Sequence, residues 1–360
     1  MKTSRLPLIL LLMVLLACNN SDERYFNGNI VMQDLPAKMD TLHGEQIELD
    51  GIFCGSIIAY DTLLIFKSPK YEDYAMYVFS TNSKKHIASL APIGKGPDEC
   101  ESIDYYNQYI VDNNEYKLFV VLNKNNCRWL NVTASLEQGK TVWEPVLDFP
   151  SKLSNYYAQL WMFDKNTFIE GTSHEIISND MTDYIPPLLN LRKKSDESVL
   201  QVFKPYKEKL VNRDPIGSSW SSILLEFFHY LKPDHSKLAL GMFCLPQVNI
   251  IDLDTWKMTG YRLDMDVDFK RLTKDLTPLH FHYMYGACDD AFIYMPHLGW
   301  LFTEMSVVTT THELHVYNWE GALVKRYYLD HPFYETTIDP VTGKMYATNN
   351  EDQLFCYTLK

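Results

Sequence analysis

Apolar and polar positions alternate over short runs through most of the chain, and the runs recur at one spacing. Met76-Tyr77-Val78-Phe79 turns at Ser80–Lys84 into His86-Ile87-Ala88. Arg128-Trp129-Leu130 turns through Val132–Gln138 into Thr141-Val142-Trp143, and Leu188–Leu191 turns at Lys193–Glu197 into Val199–Phe203. Val248–Ile251 turns at Asp252–Trp256 into Met258–Leu263, and Val316-Tyr317 turns at Asn318–Gly321 into Val324–Leu329. Period-two alternation between clusters of Asn, Asp, Ser and Gly predicts strands and hairpins. Units recurring every 40–60 residues or so predict a repeat architecture. No long amphipathic helix stands out; the best candidate, Ser221–Tyr230, carries β-prone aromatics and a Pro233-Asp234 turn, and reads as a strand.

A sixth unit is incomplete. Leu354–Leu359 ends the sequence with no strand after it, while Glu45–Leu49 near the start has an apolar pattern and no hairpin of its own. Pairing the two would join the first and last units and bury both open edges. The chain is therefore expected to be all-β, a six-bladed β-propeller over residues 44–360 whose last blade is closed by an N-terminal strand. The blades would be Gly51–Leu90, Ser102–Phe149, Asn155–Leu210, Ser221–Asp264, His280–Asp330 and Tyr334–Lys360. A parallel β-helix would need shorter coils with more Gly and Asn, and two sandwiches would need a linker that is not visible.

The first residues follow other rules. Lys2 and Arg5 precede the apolar run Leu6–Leu16, which is shorter than the ~20 residues a spanning helix needs and matches the core of a signal peptide. Leu15-Leu16-Ala17-Cys18 resembles a bacterial lipobox, so residues 1–17 are expected as signal and Cys18 as the lipid attachment site. Residues 18–43 then read as a polar tether, with the membrane as partner through that lipid. Asp22-Glu23 resembles the export signal of Bacteroidetes surface lipoproteins. No later apolar run of about 18 residues predicts a membrane-spanning helix.

Charge narrows the partners. The formal net charge is −13 at pH 7, and it falls further when Lys2 and Arg5 leave with the signal. Nucleic-acid binding rests on Lys and Arg meeting phosphates, so no nucleic-acid partner is expected. Of seven cysteines, Cys18 is taken by the lipid. Cys54, Cys100, Cys127, Cys244, Cys288 and Cys356 have long separations and no CxxC, which argues against zinc. Most are expected as small buried hydrophobes, although export permits oxidation.

At this point a resemblance can be placed on particular residues. Leu314-x-Val316-Tyr317-Asn318-Trp319-Glu320-Gly321 with Tyr328-Leu329, then Ile338-Asp339 and Lys344-Met345-Tyr346-Ala347, resembles the TolB-like six-bladed propeller lipoproteins of Bacteroidetes. Ile93-Gly94-Lys95-Gly96-Pro97-Asp98-Glu99-Cys100 is similar to that family's GxGPGE loop, with Asp98 where Gly is usual and Cys100 where an aromatic is usual. The resemblance covers about Gly44 to Lys360. It implies the fold and a cell-envelope, outer-membrane location, periplasmic or surface-exposed, and it implies no reaction.

Candidate chemistry is sparse. Gly94, Lys95, Gly96, Pro97, Asp98 and Glu99 form the most distinctive loop: exposed N–H groups beside a lysine suit a carboxylate or phosphate, and equally the glycines permit a sharp crossover between blades. No P-loop context surrounds it. His280 and His282 share one strand face, with His297, His312, His315, Asp289 and Asp290 in the same blade. Spacing alone does not bring these groups together, so no metal site and no cofactor is assigned. Asp264, Asp266 and Asp268 also share a face but lack the glycine of a calcium loop. Trp161, Trp220 and Trp300 could stack on sugars or fill wedges between blades.

The working surface is expected at the channel mouth, built by Gly51–Gly55, Gly94–Cys100, Phe149–Ser154, Arg213–Ser219, Asp268–Thr277 and His331–Phe333. The function read from this is a binding or scaffold module for a protein or glycan partner. The alternative is a propeller enzyme, a metal-dependent lactonase or a glycan-active hydrolase or lyase, marked by Asp, Glu, Asn and His converging at the channel centre.

Overall fold

The computed structural model describes residues 26–51, 55–68, 73–123, 126–148, 159–172, 175–176, 184–185, 188–207, 226–265, 279–304 and 310–359. Six antiparallel blades emerge, numbered in chain order. Blade 1 is Ser56–Tyr60, Leu63–Lys67, Tyr74–Ser80 and His86–Pro92; blade 2 is Ile103–Asp112, Glu115–Leu122, Asn126–Asn131 and Trp143–Asp148. Blade 3 is Gln159–Met162, Thr167–Thr172, Leu188–Lys193 and Val199–Phe203, with a small hairpin of Glu175–Ile176 and Tyr184–Ile185 beyond it. Blade 4 is Phe227–Leu231, Lys237–Met242, Gln247–Asp252 and Lys257–Leu263. Blade 5 is His280–Tyr283 (continued by Ala287–Cys288), Phe292–Leu301, Thr311–Asn318 and Leu323–Phe333. Blade 6 is Glu335–Ile338, Lys344–Thr348, Leu354–Thr358 and, from the other end of the chain, Glu45–Ile47.

The closing pair is the expected one. Leu354 lies opposite Ile47, Phe355 opposite Gln46 and Cys356 opposite Glu45, all antiparallel. Among the described residues the core is divided among the seams. Ile58, Ile65 and Met76 meet Ile103, Leu118 and Val120 between blades 1 and 2. Phe119, Val121 and Cys127 meet Leu160 and Phe168 between blades 2 and 3. Trp161, Ile169 and Phe203 pack with Leu238, Leu240 and Met242 between blades 3 and 4. Tyr230 and Val248 meet Tyr283, Met295 and Tyr317 between blades 4 and 5. Leu314, Tyr327 and Leu329 meet Met345 and Tyr357 between blades 5 and 6. Finally Tyr346 and Leu354 meet Ile57, Leu64 and Phe66, closing the ring against blade 1.

Two segments depart from the sequence reading. Residues 18–43 were expected as a tether, yet Gly28–Gln33 runs parallel to the outer strand of blade 4, from Gly28 opposite Met258 to Gln33 opposite Leu263. Asp40–Leu42 likewise runs parallel to the outer strand of blade 5, with Thr41 opposite Tyr328. An added edge strand buries little, so its sequence shows little alternation: Ile30 and Leu42 are buried, while Val31 and Met32 remain 44% and 42% exposed. Gly28 is needed for close approach, since a Cβ there would lie 2.2 Å from the Met258 carbonyl oxygen. Residues 26–47 thus form a strap across blades 4, 5 and 6.

The turn expected at Val132–Gln138 is a seven-residue helix. Asn131 caps it, its Oδ1 accepting the Ala134 N–H at 2.9 Å, which satisfies a donor that the first turn leaves free. Gly139, at φ 63°, ends it in the left-handed conformation that favours glycine.

Candidate functional site

The inner strand of each blade lines the channel, and its first residues stand at the end where the crossovers between blades arrive. Those ends carry polar and aromatic side chains instead of seam apolars. Lys67 of blade 1, opposite Ser56 in the ladder, places its Nζ 3.9 Å from Asp104 Oδ1 of blade 2. Gln159, the first strand residue of blade 3, donates from Nε2 to the Tyr285 hydroxyl of blade 5 at 2.6 Å. Phe228 of blade 4 sets its ring edge-on to Tyr285, with centroids 4.6 Å apart at 62°. Glu335 opens the inner strand of blade 6 and is hydrogen-bonded to Ser56 and attracted by Lys67. Side chains from all six blades therefore meet at one mouth.

The electrostatics of this mouth are those of groups half withdrawn from water. Burial raises the Glu335 carboxyl above its usual range, against the pull of Lys67 and Ser56; charge in a low-dielectric setting is disfavoured. Tyr285 is pushed up to about 12, by burial first and then by the carboxylates of Asp104 and Glu335 against the Gln159 hydrogen bond. Burial likewise raises Tyr106, with Asp104 adding to it. Tyr285 keeps 38% of its surface exposed, so an aromatic face is open to a ligand. The arrangement offers rings for stacking, an amide, a lysine and two carboxyl groups for hydrogen bonding, of which Glu335 holds its proton more tightly than usual.

The loop singled out by sequence is closed upon itself. Ile93 and Cys100 bridge in parallel; the Gly94 N–H donates to Cys100 O at 3.1 Å and the Cys100 N–H to Pro92 O at 2.9 Å. The Gly96 N–H donates to Glu99 Oε2 at 2.8 Å, and a Cβ on Gly94 would stand 1.9 Å from that oxygen. Glu99 thus occupies the position that an anionic ligand would take. Lys95 points outward and pairs with Glu101 at 3.3 Å, and the Trp143 indole donates to Asp98 O at 3.1 Å.

His280 and His282 part company. His280 is exposed, its Nδ1 3.2 Å from Gly299 O. His282 is buried, and its Nδ1 lies 3.4 Å from His297 Nε2. From His297 a network continues through blade 5. Its Nδ1 lies 3.5 Å from Glu313 Oε2, and Glu313 Oε1 lies 2.8 Å from His315 Nε2. The two imidazoles stack with centroids 4.3 Å apart at 8°. Arg326 holds the carboxylate from its Nε at 2.8 Å and its Nη2 at 2.5 Å. The Tyr283 hydroxyl lies 3.1 Å from His315 Nδ1 and 2.6 Å from the Tyr317 hydroxyl. Burial pushes His315 down to about 4, against Glu313, and burial with the neighbouring histidines pushes His282 well down. Burial would raise Glu313, but hydrogen bonds from His297 and His315 outweigh it and hold the carboxyl well below its usual range. Sequence reasoning placed these histidines in one blade and missed Glu313; the Glu313-x-His315 spacing on one strand was the available signal.

Other expectations sort as follows. Trp161 is buried, its Nε1 donating to Tyr106 O at 3.1 Å, so it fills a seam; Trp300 stands opposite Phe281 in blade 5. His312 donates from Nδ1 to Leu329 O at 2.8 Å. The Asp264 N–H donates to Gln33 O of the strap at 2.7 Å, while Asp266 and Asp268 lie outside the described residues. So do Cys18 with the whole signal, Cys54, Trp220, Phe149–Ser154, Arg213–Ser219 and Asp268–Thr277. His331 stacks on Phe355 with centroids 4.0 Å apart. Cys100, Cys127, Cys244, Cys288 and Cys356 are free thiols.

No protein-family model matches the chain, and no curated protein matches its sequence. Solved structures do. One, named a putative exported protein of Bacteroides fragilis NCTC 9343, superposes with a TM-score of 0.52 at 10% identity, over 91% of this chain and 98% of that one. A member of the DUF4221 family from Bacteroides vulgatus ATCC 8482 gives 0.50 at 12% identity, over 91% and 98%. The likeness is one of fold. At such identities a shared propeller carries no shared chemistry, and the site must be read from this chain's own residues.

Proposed function

We propose that this protein is a lipid-anchored propeller of the cell envelope, of the TolB-like kind that its sequence resembles, and that its channel mouth binds a glycan. The observation that carries the reading is the convergence of Lys67, Asp104, Gln159, Phe228, Tyr285 and Glu335 from six different blades. Aromatic faces beside a few aimed polar groups are what a small-ligand site requires. Two carboxyl groups and an amide suit sugar hydroxyls, and the acidic surface disfavours an anionic polymer. The anchor would be Cys18, eight positions before Phe26, a span of at most about 29 Å of extended chain. Such a short lead would hold the propeller close to the bilayer.

The test is binding of the intact mature protein to a panel of defined neutral and acidic oligosaccharides. Tyr285→Ala is expected to weaken the best ligand at least tenfold, and Lys67→Ala to weaken it less. Binding that survives both substitutions unchanged would remove the mouth from consideration, and binding of no glycan in the panel would favour a protein partner. The carboxyl of Glu335, raised by burial, also favours a second reading, a glycan-active hydrolase or lyase with this residue as proton donor. Product formation that Glu335→Gln abolishes while leaving binding intact would decide for the enzyme.

A further inference from the structure

In the seam between blades 4 and 5, on the second and third strands of blade 5, the histidine network has a feature that a purely packed interior does not need. His297 and Glu313 stand directly opposite each other on neighbouring strands. His315 follows Glu313 by two residues and so faces the same way. The three offer one donor atom each, all within 4.8 Å of one another. Donors bound to one ion at about 2.0–2.1 Å stand about 3.3 Å apart in a tetrahedral site; His297 Nδ1 lies 3.5 Å from Glu313 Oε2, close to that value, while His315 Nε2 lies 2.8 Å from the other oxygen, Oε1.

The outer atoms matter as much. Both imidazoles have the far nitrogen held by another residue, His315 by Tyr283, itself backed by Tyr317, and His297 by His282. Glu313 is gripped by Arg326 through Oε1, the oxygen that also faces His315, which leaves Oε2, on the His297 side, as its donor to an ion. Partners on the far nitrogen of an imidazole, and on a carboxylate, fix tautomer and orientation in metal sites and are part of their design. We propose that His297, Glu313 and His315 bind a divalent transition-metal ion of the zinc class, bracing the second and third strands of blade 5 against each other. Two imidazoles and a carboxylate suit zinc, nickel or copper rather than calcium or magnesium, which take oxygen donors. The set leaves a fourth position for water. The proposal is independent of any ligand at the mouth.

The experiment uses the intact mature protein, stripped with chelator, then loaded with zinc and desalted. One equivalent of zinc by elemental analysis is expected, with a rise in the unfolding midpoint that disappears in Glu313→Gln and His297→Ala and persists in His280→Ala. Cobalt loading of the wild type should give the visible absorption of a four- or five-coordinate site, a readout that does not depend on any variant folding. Substoichiometric zinc, an unchanged midpoint, an octahedral cobalt spectrum, or a zinc effect that survives Glu313→Gln would each overturn the proposal.

Discussion

Blades 1, 2 and 3 finish differently from blade 4. In each of the first three the pairing of the third strand with the fourth slips register, between Val78 and Phe79, between Cys127 and Arg128, and between Leu191 and Arg192. The outer pair of blade 4 runs without a slip from Gln247 opposite Arg262 to Asp252 opposite Lys257. A regular edge is a template for another strand, whereas a bulge twists the edge away. Blade 4 lacks that protection and has the strap instead. Blade 5 has both, with slips in its outer pair and Asp40–Leu42 beside it. Register irregularity and a covering strand are thus two answers to one hazard, used singly in blades 1 to 4 and together in blade 5.

The largest effect should come from the strand that closes the ring. Deleting Glu45–Ile47 strips Leu354–Thr358 of its partner and uncovers the seam to blade 1, a loss of several kcal/mol out of the roughly 5–15 that hold a typical domain. Calorimetry should show a much lower and broader transition; an unchanged midpoint would mean that the ring does not depend on this closure. Truncation to a chain that begins at His43 keeps the closing strand and removes only the cover of blades 4 and 5. It should cost about 2–4 kcal/mol, mostly through the buried Ile30 and Phe26, and should add concentration-dependent association. If bulged and covered edges were not equivalent devices, sedimentation would show the truncated protein as monodisperse as the parent.

Much of this architecture was legible in the sequence because a blade is a local object. The outer hairpin at Val316–Leu329 and the unmatched strand at Leu354 show their alternation within a dozen residues, and the missing partner at Glu45 follows from edge physics. The strap was not legible, since Gly28–Gln33 lies on an edge with one residue, Ile30, turned firmly inward. Nor was the mouth, where each blade contributes a residue or two to a group joined only in space; Gln159 and Tyr285 are 126 positions apart. The histidine seam falls between these cases, half visible as Glu313-x-His315 and half hidden on the neighbouring strand.

A smaller effect, of opposite sign, is expected in the seam between blades 3 and 4. His229 is buried between the rings of Trp161 and Phe227, at 4.9 and 4.7 Å, and neither ring nitrogen has a hydrogen-bond partner among the described residues. Replacing it by Leu should stabilise the protein by about 1–3 kcal/mol, the usual cost of an unmet buried polar group. Burial pushes this imidazole down to about 3. Below its unfolded value near 6.5 the unfolded chain takes up a proton that the folded one refuses, so wild-type stability should fall from pH 6.5 toward pH 3. His229→Leu should flatten that slope in urea titrations; an equal slope would assign the acid sensitivity elsewhere.

The smallest effect concerns the clasp between strap and blade 5. Asp330 accepts the Gly44 N–H at 3.0 Å and lies 3.1 Å from His43 Nδ1. Burial would raise its carboxyl, but these hydrogen bonds outweigh it and hold the group below its usual range. Its contribution is present above the unfolded value of 3.8 and is lost as pH falls through the depressed folded one. Asp330→Asn should cost less than about 1 kcal/mol at neutral pH, with faster amide exchange at residues 43–47 as the sharper readout. Exchange unchanged there would leave the closing strand held by its ladder alone.

Ring closure also sets a timetable. Cys356 must find Glu45, and the strap must wait for blades 4 and 5, so residues 28–47 pair only after the later blades are made. Until the C-terminus is released, four or five finished blades share an open ring whose two ends are free to bind other strands. Contacts of such long range are slow to form, and partly built β-structures are prone to aggregate while they wait. The same join that closes the ring in the finished molecule makes the unfinished one depend on speed of synthesis, or on a chaperone, to reach it.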